Sequence, residues 1–270
     1  MPELPEVETT RRGIAPHVQG RVVARAVLRR PDLRWPIPSE IRRRFVGARI
    51  LGTERRAKYL LLHSEPGAAI LHLGMSGSLR VLDAEAPVRA HDHVDLVFDN
   101  GRLLRFNDPR RFGCLLWQAA GSTHPLLREL GPEPLGDAFD GDYLFARSRG
   151  RSAAIKALLM DQRIVVGVGN IYVAEALFAA GVRPTRAAGK VTRREYTEIA
   201  TAIRRILEHA IERGGTTLRD FLKPDGEPGY FEQELFVYGR EGDACKHCGT
   251  PISARRDAQR SSFYCRVCQR

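Results

Sequence analysis

Pro2, Glu3 and Glu6 are the residues of this sequence best placed to do covalent chemistry. Removal of Met1 ahead of the small Pro2 would leave a secondary amine at the chain terminus, with Glu3 beside it and Glu6 one helical turn on. An α-amino group titrates near about 7.7–8, far below the roughly 10.4 of lysine, so near neutral pH a useful fraction is unprotonated. Such an amine can attack a sugar or carbonyl carbon and form an iminium, the Schiff-base chemistry otherwise given to lysine. The plainer alternative is a helix start, because Pro2 and Pro5 suit a first turn and the carboxylates suit the positive end of its dipole.

A second chemical set lies at the far end. Cys245-x2-Cys248 and Cys265-x2-Cys268 are sixteen residues apart, a spacing that suits a tetrahedral site of four thiolates. Two disulfides or four free thiols are the alternatives, and the first disagrees with a reducing compartment. Four thiolates fill the tetrahedron and leave no position for water, so the cofactor expected is one structural Zn2+. Cys114 stands apart in the apolar run Cys114-Leu115-Leu116-Trp117 and reads as a buried core thiol.

The composition narrows the class of protein that carries these sets. The chain has 270 residues, of which 43% are hydrophobic, enough for one large or two ordinary folded domains. No apolar run reaches the roughly 18 residues that span a bilayer, and the acidic, proline-rich start does not resemble a secretory signal. We therefore expect a cytoplasmic protein with no membrane partner. Lysine and arginine number 43 against 32 acidic residues, a net charge of +11 that suits a polyanion such as nucleic acid. A solvated arginine-rich surface would give the same total.

Positioning these residues falls to elements with two different periods. A first helix is expected to end near Gly13. From Gly20 to about Trp117 the pattern is of short strands, among them Leu60-Leu61-Leu62, Ile70 to Leu73 and Leu79 to Leu82. Val94, Leu96 and Phe98 alternate with polar residues, Asp99-Asn100-Gly101 supplies a turn, and Leu104 and Phe106 alternate on the return. Such a series predicts an antiparallel sandwich or barrel. Past Gly131-Pro132-Glu133-Pro134 the period becomes helical, over Ser152 to Gln162, Asn170 to Ala180 and Thr192 to Arg213. Thr192 and Glu195 form a capping box, Tyr196, Ile199, Ile203, Ile206 and Ala210 a stripe, and Gly214-Gly215 an end. The tail from Ala244 is too short to bury a core and is expected to be a β-hairpin held by the metal. The domains expected are 1–131, 132–243 and 244–270.

Six stretches together carry a resemblance: Met1-Pro2-Glu3-Leu4-Pro5-Glu6-Val7-Glu8-Thr9, Arg56-Ala57-Lys58-Tyr59, His72-Leu73-Gly74-Met75-Ser76-Gly77, Asp108-Pro109-Arg110-Arg111-Phe112-Gly113, Gly167-Val168-Gly169-Asn170-Ile171-Tyr172 and the cysteine ribbon. In order and over essentially the whole chain, they resemble bacterial formamidopyrimidine-DNA glycosylases. The resemblance implies an α+β fold: an N-terminal antiparallel β-sandwich with flanking helices, then a helix-two-turns-helix domain and a zinc-ribbon finger. It also implies excision of oxidised purines, followed by cleavage of the abasic strand. Double-stranded DNA with oxidised bases or abasic sites is the implied partner. A monomer with no obligate protein partner is expected.

Carried over by position, Pro2 is the implied nucleophile, Glu3 the general acid/base, Lys58 a catalytic cation and Glu6 the carboxylate that orients this end of the helix. Lys58 on an exposed strand edge is the competing reading. His72, Lys156, Asn170 and Arg260 are implied phosphate contacts, and Asn170 could cap a helix whose amides take an anion. Met75, Arg110 and Phe112, beside Arg111, resemble the wedge that fills the gap left by a flipped nucleotide. Arg219 lies in the segment resembling the loop that closes over the flipped base. The sequence departs from the family's usual pattern in carrying Ala258-Gln259 ahead of Arg260, where glycine is frequent. Two rivals stay open here: a sister enzyme directed at oxidised pyrimidines, and a non-catalytic zinc-ribbon binder of damaged DNA.

Overall fold

Leu4, Val7, Ile14 and Val18 lie on one face of α1 (Leu4–Val18), and all four are buried. That burial carries the helix past Gly13, where its end was expected, and through Pro16 to Val18. Glycine costs a helix about 1 kcal/mol, less than burying Ile14 and Val18 returns. The computed structural model describes residues 2–215, 234–257 and 260–270. They form two units, Met1–Arg128 with Arg213–Glu232, and Glu129–Glu212 with Gln233–Arg270. Among the described residues, no helix is long and apolar enough to cross a membrane.

The first unit holds two four-stranded antiparallel sheets. One runs β1 (Val23–Leu28), β6 (Asp92–Phe98), β7 (Arg102–Asn107), β5 (Ser78–Asp83); the other runs β2 (Ile50–Arg56), β3 (Tyr59–Ser64), β4 (Gly67–His72), β8 (Cys114–Ala119). Leu60, Leu71 and Leu115 of one sheet share a core with Leu79, Leu96 and Phe106 of the other and with Val7 and Ile14 of α1. This is the expected sandwich. The β6–β7 hairpin turns at Asp99-Asn100-Gly101, where Gly101 supplies the positive φ of +74°. A single π-helical turn (Ile41–Phe45) and the short α2 (Pro125–Arg128) complete the unit.

The second unit is helical, with α3 (Gly141–Ser148), α4 (Ile155–Met160), α5 (Asn170–Ala179) and α6 (Arg193–Glu212). The helix expected from Ser152 starts only at Ile155. The residues before it pair instead with residues 186–188, through Ile155 N–H to Arg186 O at 2.8 Å and Ala188 N–H to Ala153 O at 2.8 Å. Residues Ile171 to Phe178 of α5 are buried on every face, so it is the central helix of the unit. The capping box of α6 is present, with Thr192 N–H to Glu195 Oε2 at 2.8 Å. Leu207, rather than the half-buried Ile206, completes its stripe. The tail forms the hairpin β9 (Ser253–Asp257) and β10 (Arg260–Tyr264).

Candidate active site and metal centre

The amino-terminal site starts from the way α1 is capped. Glu3 is the N-cap, and a capping box joins it to Glu6, whose Oε2 accepts the Glu3 N–H at 2.8 Å. Pro2, Glu3 and Glu6 are all buried, Glu6 completely. The plain reading of the opening residues holds: the helix start is real, and it places Pro2 immediately before the buried N-cap Glu3, which leaves the catalytic reading open. Gly215 seals Glu6 from the other side, since a Cβ on it would lie 3.0 Å from Glu6 Oε1. The sequence marks Gly215 only as a helix end.

Lys58 sits in the tight β2–β3 turn beside Ala57, which takes φ +56°. At 8% exposure it is not an exposed strand-edge lysine. Arg55 ties the turn down, donating to Ala57 O at 3.0 Å and lying 3.5 Å from Glu8 of α1. Arg11 and Arg12 also bond to Glu8 and, against its burial, hold its carboxyl below the usual range. His72, at the end of β4, faces Tyr59 across the sheet with ring centres 4.9 Å apart. Burial first, then the Lys58 and Arg34 cations, push its pKa down to about 4. It is neutral at pH 7, with Nδ1 accepting Gly74 N–H at 2.9 Å and Nε2–H left as a donor. His72 can therefore offer an anion one hydrogen bond rather than a charge.

Two turns of the sandwich are locked together by Asp108, which is completely buried. Its Oδ1 accepts Ser76 Oγ–H at 3.0 Å, and its Oδ2 accepts Gly113 N–H at 2.8 Å. Ser76 Oγ in turn accepts Arg110 N–H at 3.3 Å. Gly74 must be glycine: φ is +65° and a Cβ would lie 2.4 Å from Gly113 N. The result fixes the turn that carries Met75 beside the one that carries Arg110, Arg111 and Phe112. Phe112 is 45% exposed, Arg110 stacks over its ring at 4.9 Å, and Arg111 holds φ +53°. An exposed aromatic stacked by arginine on a clamped turn is suited to entering a base stack.

In the second unit, Lys156 and Asn170 converge on the finger. Lys156 is 6% exposed, and its ammonium donates to Ser261 O at 2.7 Å and Ser262 Oγ at 2.8 Å. Asn170 Nδ2 donates to the same Ser261 O at 3.2 Å, and its buried Oδ1 has no hydrogen-bond partner. Asn170 does not cap α5. Gly169 occupies the N-cap, and Asn170 is the first helical residue with its side chain drawn to the finger. Arg260 opens β10, exposed, with Nη1 3.7 Å from Met160 Sδ; it lines a pocket of about 360 Å³ with Lys156. Arg219 lies outside the described residues, as do Ala258 and Gln259.

The four finger cysteines meet the geometry of zinc. Their Sγ atoms lie within 4.8 Å of one another, with Cys245–Cys268 at 3.9 Å and Cys248–Cys265 at 3.4 Å. Zn–S bonds of about 2.3 Å give a tetrahedron with edges near 3.8 Å, and disulfides would be far shorter. Backbone amides of His247 and Cys268 donate to Cys245 and Cys265 sulfurs at 3.4 and 3.5 Å, which stabilises thiolates. Bound there, the ion organises the hairpin and performs no hydrolysis. Cys114 is buried, away from this set, with its thiol pushed up to about 12 by burial.

The sandwich unit with its capped amino terminus, the helical unit and the four-cysteine ribbon define a zinc-finger protein, and comparison with known proteins puts it among the DNA-repair glycosylases. Three family models match the chain: the formamidopyrimidine-DNA glycosylase N-terminal domain over 1–115, its H2TH domain over 130–222, and a zinc finger found in FPG and IleRS over 242–270. The formamidopyrimidine-DNA glycosylase of Stenotrophomonas maltophilia is 66% identical over 270 residues, covering all of both chains. That of Xanthomonas campestris is 62% identical over 271 residues, again with full coverage. The FPG crystal structure from Thermus thermophilus superposes with TM-score 0.90 at 42% identity, covering 99% of this chain and 98% of that one. A Lactococcus lactis FPG mutant in complex with Fapy-dG containing DNA gives 0.92 at 32% identity, with both chains fully covered. The chain belongs to the formamidopyrimidine-DNA glycosylase family, enzymes that act on damaged bases in DNA.

Proposed function

We propose that this glycosylase excises oxidised purines, 8-oxoguanine and formamidopyrimidines, through Pro2 and then cuts the abasic strand. The observation that supports the reading is the capped, buried start of α1, in which Pro2 directly precedes the buried Glu3 and Glu6 accepts the Glu3 N–H. With Met1 removed, the Pro2 amine attacks C1′ of the damaged nucleotide as the bond from C1′ to the base breaks, the base leaving with that electron pair and taking up the proton that the amine gives up. Glu3 donates a proton to the ring oxygen as the sugar opens, leaving an iminium between Pro2 and C1′. The iminium acidifies C2′, so the 3′ phosphate leaves by β-elimination and the 5′ phosphate by δ-elimination. Glu6 orients Glu3, while Lys58 and His72 Nε2–H serve the phosphate of the flipped nucleotide. Met75, Arg110 and Phe112 occupy the vacated stack, offsetting part of the few kcal/mol that flipping costs. Lys156, Asn170 and Arg260 place the finger and its cation against the backbone.

The DNA-bound Lactococcus lactis relatives, whose ligands are Fapy-dG and abasic-site DNA, support the purine and abasic assignments. Gel analysis of a duplex carrying one 8-oxoguanine opposite cytosine tests the reading. Fragments with phosphate at both sides of a one-nucleotide gap are expected. An intact abasic strand would remove the lyase step, and excision of oxidised pyrimidines alone would make this chain a member of the sister branch in function.

A further inference from the structure

Beyond the lesion site, the first unit carries an unassigned basic pocket. It has a volume of about 470 Å³ and lies between the end of β1 and the π-helical turn. Arg29, Arg30, Arg42 and Arg43 line it, with Ile37 and Pro38 as apolar walls, and no carboxylate is among its lining residues. The turn explains the cluster. Ile41 and Phe45 are both fully buried, which anchors its two ends and leaves Arg42, Arg43 and Arg44 exposed.

The nearby acids leave this cationic character in place. Asp95 is taken up by Arg105, at 2.8 and 2.9 Å, as well as by Arg29. Glu40 lies 3.5 Å from Arg43, a long and exposed pair. Arg29 Nη1 is buried with no hydrogen-bond partner. Asp32, outside the pocket lining, makes only long contacts, its Oδ1 3.9 Å from both Arg30 and Arg111, and so ties the edge of the pocket to the turn that carries Arg111 and Phe112.

We propose that this pocket is a second phosphate site, which takes the backbone of the duplex flanking the lesion. Guanidinium groups give paired donors to phosphate oxygens, and apolar walls suit the sugar between them. The inference rests on Arg110 and Phe112 being the part that enters DNA.

The test compares wild type with Arg42→Ala/Arg43→Ala on a lesion duplex of about thirty base pairs, roughly three helical turns. Both side chains are exposed, so folding is retained. Loss of two phosphate contacts lowers the slope of log affinity against log salt by about 1.8, and lysine at both positions restores it. An unchanged slope, or failure of lysine to restore it, overturns the site. So does stabilisation of wild type, but not of the variant, by millimolar inorganic pyrophosphate with identical DNA slopes, since the pocket would then take free phosphate. Absence of a borohydride adduct from wild type on the same duplex would refute the lesion-site reading instead.

Discussion

The two functional regions are held in place by opposite means. In the sandwich unit, buried carboxylates do the positioning: Glu6 accepts the Glu3 amide, and Asp108 accepts from Ser76 and Gly113. In the helical unit a buried ammonium and an amide, Lys156 and Asn170, grip one carbonyl of a hairpin too small to have its own core, and four thiolates close it with a metal. The first arrangement is built from side chains and backbone alone. The second depends on its ion, so the amino-terminal chemistry and the finger's share of the DNA grip are expected to be separable.

The largest effect expected from testing that separation is at Glu3. Glu3→Gln keeps the fold and DNA affinity but loses about 10²- to 10⁴-fold in single-turnover excision, the usual contribution of a general acid/base. Equal loss of affinity would make Glu3 structural. Next is Cys248→Ser or removal of zinc by a chelator. DNA affinity falls by more than about tenfold, since the ion supplies the finger's folding energy. Adduct formation on a small abasic analogue persists. Retention of an ordered hairpin without metal would contradict the contrast.

Smaller effects probe the carboxylate clamps. Asp108→Ala leaves buried donors of Ser76 and Gly113 unmet and costs about 2–3 kcal/mol in chemical denaturation. Gly215→Ala places a Cβ against Glu6 at positive φ and costs on the order of 1–2 kcal/mol. The least effect concerns His72, whose pKa is lowered on folding. Between pH 6.5 and about 4 the unfolded chain binds the proton and the folded chain does not, so stability falls as the pH drops through this window. The His72 share is on the order of 1–2 kcal/mol after allowance for solvent screening, and it vanishes in His72→Asn. A wild-type pH profile that matches the variant would show that His72 titrates normally.

What the sequence reveals follows from the range of the interactions. The helix start at Pro2 and Pro5, the Thr192–Glu195 capping box, the Gly101 turn and the two cysteine pairs are local patterns, and the strand and helix periods around them are legible too. The contacts of Asp108 with Ser76 and of Lys156 and Asn170 with Ser261 bridge 32, 105 and 91 residues. No spacing rule encodes them. Asn170 shows the cost: a side chain that reads as a helix cap is drawn away by a strand from the other end of the chain. His72 shows another, since its protonation state depends on burial and on Lys58 and Arg34, which only the fold brings near it.

Borohydride trapping on duplex DNA with one 8-oxoguanine opposite cytosine, followed by mass mapping of the cross-linked peptide, tests the central claim most directly. A reduced adduct is expected on Pro2 of protein that has lost Met1, formed equally well by chains with and without an intact finger when the substrate is a small abasic analogue. An adduct on Lys58 or another lysine, or none from correctly processed protein, would contradict it.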